Sequence, residues 1–147
     1  MERIDILAAG KIREKYFRDA MAEYEKRLSR YVKLNIMEVQ DGPDIKAERD
    51  RMIDKIGDAY LIALMIDGEA LSSVELSEKL KDLEVGGESR IMFVIGGPEG
   101  LHEDIVKKAS FKLSFSKMTF PHPLMRVILL EQIYRAYRIK NGEPYHK

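Results

Sequence analysis

The stretch Ile91-Met92-Phe93-Val94-Ile95-Gly96-Gly97-Pro98-Glu99-Gly100 decides the reading of this chain. Five consecutive apolar residues with two β-branched isoleucines and a valine predict a strand covered on both faces, as in a parallel sheet. The glycine turn that follows ends the strand and leads to a short segment of helical character, from about His102 to Ala109. Ligands of open α/β sheets bind outside the carboxyl ends of strands, and glycines there let backbone approach a ligand closely. The turn is not a dinucleotide fingerprint, because the G-x-G-x-x-G spacing is absent. It is not a phosphate-binding P-loop, because no Gly-Lys-Ser/Thr follows. A plain tight turn is the other reading of the same residues.

Outward from this strand the pattern repeats. Arg3 to Ala9 alternates like a strand, and Leu34 to Val39 and Tyr60 to Ile66 supply two more. Tyr16, Phe17, Ala20, Met21, Tyr24 and Leu28 recur at helical spacing between Glu14 and Arg30, and a second helix is expected from Asp44 to Ile56. Ser72 and Glu75 form an S-x-x-E capping box at the start of a third helix, with Leu71 and Leu76 at hydrophobic-staple positions and Gly86-Gly87 at its end. Phe111 to Phe115 is a short apolar stretch, and a last helix is expected from about Leu124 to Lys140. Strands alternating with helices predict an α/β fold, a mostly parallel sheet with helices on both faces.

Bulk properties bound the class. The 147 residues suit one domain, able to bury about 70% of the surface its unfolded chain exposes. With no cysteine, disulfides and thiolate metal sites are excluded. The acidic start at Glu2 and Asp5 and the lack of a long apolar run predict a cytoplasmic protein with no membrane or metal partner. Formal net charge is zero, which argues against a strongly basic nucleic-acid binder. The charge is uneven, however. Residues 116–147 hold six Lys or Arg and two acids, so they carry +4 against −4 for the other 115 residues.

That C-terminal segment holds the unusual residues. Phe115-Ser116-Lys117-Met118-Thr119-Phe120-Pro121-His122-Pro123 ends in two prolines around a histidine, which keeps His122 out of a helix interior. The last helix is apolar nearly all round, and a dimer is a natural way to cover it. Glu131, Arg135 and Arg138 share one helix face, as a surface ion pair or as arginines available to phosphate. Tyr145-His146-Lys147 closes the chain, where composition alone predicts fraying.

Five segments occur in order: 94–101 around the glycine turn, 114–123 ending in Pro121-His122-Pro123, Arg126-Val127, Glu131 to Ala136, and Pro144-Tyr145-His146. Together they resemble the ribosomal RNA large-subunit methyltransferase H family, the short SPOUT-class enzymes. The resemblance implies a SPOUT-type fold with a C-terminal trefoil knot over a single domain, residues 1–147. It implies S-adenosylmethionine as cofactor, contacted at Leu64, Gly96 and the run Phe115, Ser116, Lys117, Met118, Thr119 and Phe120. It implies a homodimer with the site at the subunit interface, and methylation of ring nitrogen 3 of a pseudouridine in 23S rRNA on the assembled ribosome. The expected catalytic group is His146, helped by Tyr145, with Arg135, and Arg126 or Arg138 beside it, binding phosphate or balancing charge. A nucleotide-binding α/β module and a non-catalytic ribosome-associated module are the alternatives.

Overall fold

The computed structural model describes residues 2–145. Ten elements follow one another: β1 (Glu2–Ala9), α1 (Lys15–Leu28), β2 (Val32–Val39), α2 (Ile45–Ile56), β3 (Tyr60–Ala70), α3 (Ser73–Val85), β4 (Arg90–Ile95), α4 (Glu103–Lys108), β5 (Phe111–Ser114) and α5 (His122–Lys140). The five strands form one sheet in the order β2-β1-β4-β3-β5, and every pairing is parallel.

Alternation along each strand divides the core in two. Ile4, Ile6 and Ala8 of β1 and Ile91, Phe93 and Ile95 of β4 face α1, α3 and α5. Leu7 and Ala9, with Met92 and Val94, face Met52 and Ile56 of α2 and Ile105 of α4. The central strands are therefore covered on both sides, as the uninterrupted apolar run of β4 predicts.

Helix starts follow local chemistry. Ser72 Oγ accepts from the Glu75 amide at 3.1 Å, while Glu75 Oε1 accepts from the Ser72 amide at 2.8 Å. The capping box therefore forms, and the buried Leu76 and half-buried Leu71 pack in the same core. Asp44 caps α2 by accepting from the Ala47 amide at 2.8 Å.

Two expectations need correction. The last helix begins at His122, two residues before Leu124, because Pro121 takes the N-cap and Pro123 fits the first turn. His122 is the first helical residue, not an interior one. A single chain also covers α5 better than its composition suggests. Packing against α1 and α3 buries Leu129, Leu130, Ile133, Tyr134, Ala136 and Tyr137, and no residue of α5 is fully exposed.

The strand β3 is longer than the apolar run predicts. It pairs with β5 through Leu64, leaves register, and resumes pairing at Glu69. The intervening residues arch over β5. A Cβ on Gly68 would lie 2.7 Å from the carbonyl carbon of Leu113, so only glycine permits this crossing.

Candidate active site

The carboxyl ends of β3 and β4 and the segment after β5 meet at one edge of the sheet. There they enclose a cleft of about 460 Å³, within the range typical of small-molecule sites. Leu64 to Asp67 form one wall, the glycine turn a second, and Phe115, Ser116, Met118, Thr119 and Phe120 a third. His122 and Met125 at the start of α5 complete it. Of the eight residues expected to contact cofactor, seven line this cleft. Lys117 is exposed and does not.

The glycine turn is shaped by backbone alone. Gly97 and Gly100 pair across it, with the Gly100 amide 2.9 Å from the Gly97 carbonyl. A Cβ on Gly96 would fall 2.3 Å from the Gly100 carbonyl oxygen, so the reversal tolerates no side chain there. In the third wall, the Met118 amide donates to Ser116 Oγ at 2.9 Å, which sets the loop's path. Such walls offer amides, carbonyls and apolar surface to a ligand, the mixture expected for a flat heterocycle with a polar edge.

Charge around the cleft is sparse and one-sided. Asp67 and Glu99 are exposed at its rim, and neither lysine nor arginine is among the described lining residues. The remaining titratable lining group, His122, has its pKa lowered, first by burial and then by the neighbouring Arg126 charge, with Glu48 opposing.

Arg126 is not available for phosphate. It is 2% exposed, and its guanidinium donates to Glu38 at 2.5 Å and to the carbonyls of Ala9 and Gly10 at 3.0 and 2.6 Å. It thus ties α5 to the end of β1. Arg138 is likewise engaged, 3.4 Å from Glu143 and 3.3 Å from the Pro144 carbonyl.

The tail is held through Tyr145. Its hydroxyl donates to Glu131 at 3.0 Å, and its ring packs edge-on against Tyr134 and under the Arg135 guanidinium, 4.7 Å from the ring centre. Burial and the Glu131 carboxylate push the Tyr145 pKa up to about 12. Glu131 also accepts from Arg135 at 2.9 Å, so the expected ion pair forms and Tyr145 joins it. His146, the expected base, lies outside the described residues. Arg135 and Tyr145 do not line the cleft. Arg135 lies ten positions beyond Met125 along α5, about 15 Å along the axis.

Sequence reasoning missed Glu48, Asp67, His122 and Met125 as neighbours of the site. Glu48 reads as an ordinary polar residue of an amphipathic helix, and nothing local marks it. His122 was conspicuous between prolines, but the side it faces depends on tertiary packing.

A model of the family described as predicted SPOUT methyltransferase matches residues 2–146. The putative ribosomal RNA large subunit methyltransferase H of Methanococcus vannielii is 52% identical, covering 98% of this chain and 99% of its own. The ribosomal RNA large subunit methyltransferase H of Bifidobacterium adolescentis is also 52% identical, over 99% of both chains. Among solved structures, a probable methylase family protein from Haemophilus influenzae superposes with a TM-score of 0.62 at 13% identity, over 99% of this chain and 71% of that one. A tRNA methyltransferase from Aquifex aeolicus gives 0.52 at 16% identity, over 91% and 69%. These two likenesses concern the fold. On the family model and the near full-length relatives, the chain belongs to the SPOUT methyltransferases, in the family of the ribosomal RNA large subunit methyltransferases H.

Proposed function

We propose that this chain, acting as one domain over residues 1–147, is an S-adenosylmethionine-dependent methyltransferase. Its substrate is ring nitrogen 3 of a pseudouridine in large-subunit 23S rRNA, met on the assembled ribosome, and it works as a homodimer in the cytoplasm. The observation that carries this reading is the convergence of Leu64, Gly96 and five residues of the 115–120 run on one cleft at the strand ends. The names of relatives that share half their residues with the chain support the rRNA substrate.

The residues fit the cofactor. The glycine turn presents backbone where a Cβ would collide, the walls are largely apolar, and no lysine or arginine among the described lining residues would oppose a cationic ligand. When bound, S-adenosylmethionine supplies an electrophilic methyl group on a sulfonium. The chain's own task is then to hold and orient that group, exclude water, and manage one proton. The knot implied by the resemblance belongs to this reading. The close crossing of the 65–68 arch over β5 at Gly68 supports it.

The separation of tail and cleft on one chain supports the dimer. A second copy would bring its Tyr145, His146 and Arg135 over the first copy's cleft, against the half-buried Leu124, Val127 and Ile128 of α5. Ring nitrogen 3 of pseudouridine bears a weakly acidic imide proton that must leave. In this reading His146 takes that proton or stabilises the anion, since imidazole is the side chain suited to proton transfer near neutral pH. Arg135 holds Tyr145 flat through its guanidinium, and Glu131 fixes both. A chain of zero formal net charge should hold free RNA weakly, which favours an assembled ribosomal surface as substrate.

Three measurements test the proposal. Thermal-shift titration should show stabilisation by S-adenosylmethionine and S-adenosylhomocysteine and none by ATP. Stabilisation by ATP alone would point to a nucleotide-binding module, and no response to any would point to a non-catalytic one. Mass spectrometry of rRNA from cells lacking the protein should reveal one missing methyl group on a large-subunit pseudouridine. For the tail, His146→Ala should depress single-turnover methyl transfer far more than cofactor affinity. Equal loss of both removes the base assignment.

A further inference from the structure

Glu48 is a buried carboxylate that the reading above leaves without a role. It belongs to the first turns of α2, on the sheet face opposite α5, and is 7% exposed. Its Oε2 accepts from the Gly42 amide at 2.8 Å. Both carboxylate oxygens sit directly behind the glycine turn: a Cβ on Gly97 would lie 3.0 and 3.1 Å from them. Gly97 lines the cleft on its other side. Only one backbone thickness therefore separates this carboxylate from the space where a ligand would lie.

No cation among the described residues neutralises it. Burying a carboxylate without a partner is costly, so an uncompensated one behind a ligand cleft calls for a reason. The Arg126 charge reaches His122 of the cleft, but Arg126 is paired to Glu38 at 2.5 Å. His122 is within electrostatic reach of Glu48, yet burial and Arg126 both disfavour its charged form. Among the described lining residues, the cleft itself adds the rim acids Asp67 and Glu99. Arg51, one helical turn on, is held by the carbonyls of Gln40 and Gly42 and makes no ion pair with Glu48, so the carboxylate behind the glycine turn has no salt-bridge partner among the described residues.

We propose that Glu48 is a specificity-determining residue whose buried charge, acting through the thin wall at Gly97, favours the cationic methyl donor over its demethylated product. This rests on the assignment of the cleft to S-adenosylmethionine. Donor and product differ in charge by one unit, because loss of the methyl group turns the sulfonium into a neutral thioether. A fixed negative charge behind the cleft wall would hold the cationic donor more tightly and leave the apolar and hydrogen-bonding contacts common to both ligands unchanged. The result is easier exchange of spent product for fresh donor.

The test is calorimetric titration of the full-length protein with S-adenosylmethionine and, separately, S-adenosylhomocysteine. Glu48→Gln removes the charge but keeps an oxygen for the Gly42 amide. Glu48→Asp keeps the charge but pulls the carboxylate back from that amide. The expected result is a fall in donor affinity on the order of tenfold in Glu48→Gln, with product affinity changed less than twofold. In Glu48→Asp the donor-to-product ratio should stay within threefold of native, even if the melting temperature drops. If Glu48→Gln does not fold, Glu48→Met supplies the charge removal, with the same expected change in the ratio. Equal weakening of both ligands by charge removal, no change in either, or an equal shift of the ratio in Glu48→Asp overturns the inference. A native protein that binds neither ligand would overturn the cofactor assignment instead, so the two failures are distinguishable.

Discussion

Arg126→Met removes a guanidinium that is almost wholly enclosed while preserving much of its bulk. Three contacts disappear: Glu38 at 2.5 Å and the Ala9 and Gly10 carbonyls at 3.0 and 2.6 Å. A charged donor to a buried carbonyl contributes about 1.5–3 kcal/mol. The Glu38 side chain is 36% exposed, so that ion pair adds less than about 1 kcal/mol. Water and neighbouring groups recover part of the loss, which leaves an expected destabilisation of about 3–5 kcal/mol, most of it from the two carbonyl contacts. For a chain of this size that corresponds to a melting temperature lower by about 10 °C or more. The assay is urea unfolding at one fixed protein concentration, since association would otherwise shift the midpoint. Arg126→Lys should recover part of the loss, because an ammonium keeps the charge but cannot match the forked geometry. A loss below about 1 kcal/mol in Arg126→Met would refute the reasoning. Weakened binding to ribosomal particles with unchanged stability would return Arg126 to the role of a phosphate ligand.

Three further outcomes are expected. Gly68→Ala places a methyl group 2.7–2.9 Å from the Leu113 and Lys112 backbone; it should cost about 1–3 kcal/mol and lower donor affinity in the same titration, because the arch forms a cleft wall. Ser72→Ala breaks the capping box and should cost about 1 kcal/mol, read as a shifted urea midpoint with donor affinity unchanged, since α3 is remote from the cleft. His122 has a folded pKa below its ordinary value of 6.5, so the unfolded chain takes up the proton first as pH falls. Stability present above pH 6.5 should then decline from 6.5 down to the folded pKa and level off below it, and His122→Gln should flatten that portion of the curve.

The layers of the fold were readable because each rests on a short-range rule. Strand β4 announces double burial by five apolar residues in a row, and α3 announces its start by Ser72 and Glu75. The cleft's position followed from where strands end. Five residues of the run 115–120 line the cleft, but its periodicity could not say that Lys117 stays outside the lining. The arch at 65–68 was invisible, because an apolar run ending at Ile66 says nothing about a strand that leaves and rejoins its partner. Arg126 misled for a physical reason. A positive charge in a basic segment suggests a phosphate ligand, and only the tertiary structure brings the carbonyls of Ala9 and Gly10 to it from more than a hundred residues away. Glu48 is the same case with the opposite sign.

The distance between cleft and tail has a genetic consequence if two copies share each site. Lesions then fall into two groups that a pure dimer of either kind cannot bypass. A chain spoiled at Gly96 keeps an intact tail, and a chain spoiled at Tyr145 keeps an intact cleft. Co-expressed, the two would pair in part as mixed dimers, each with one site wholly broken and one wholly sound. Alleles lifeless alone would restore modification when both are expressed in one cell.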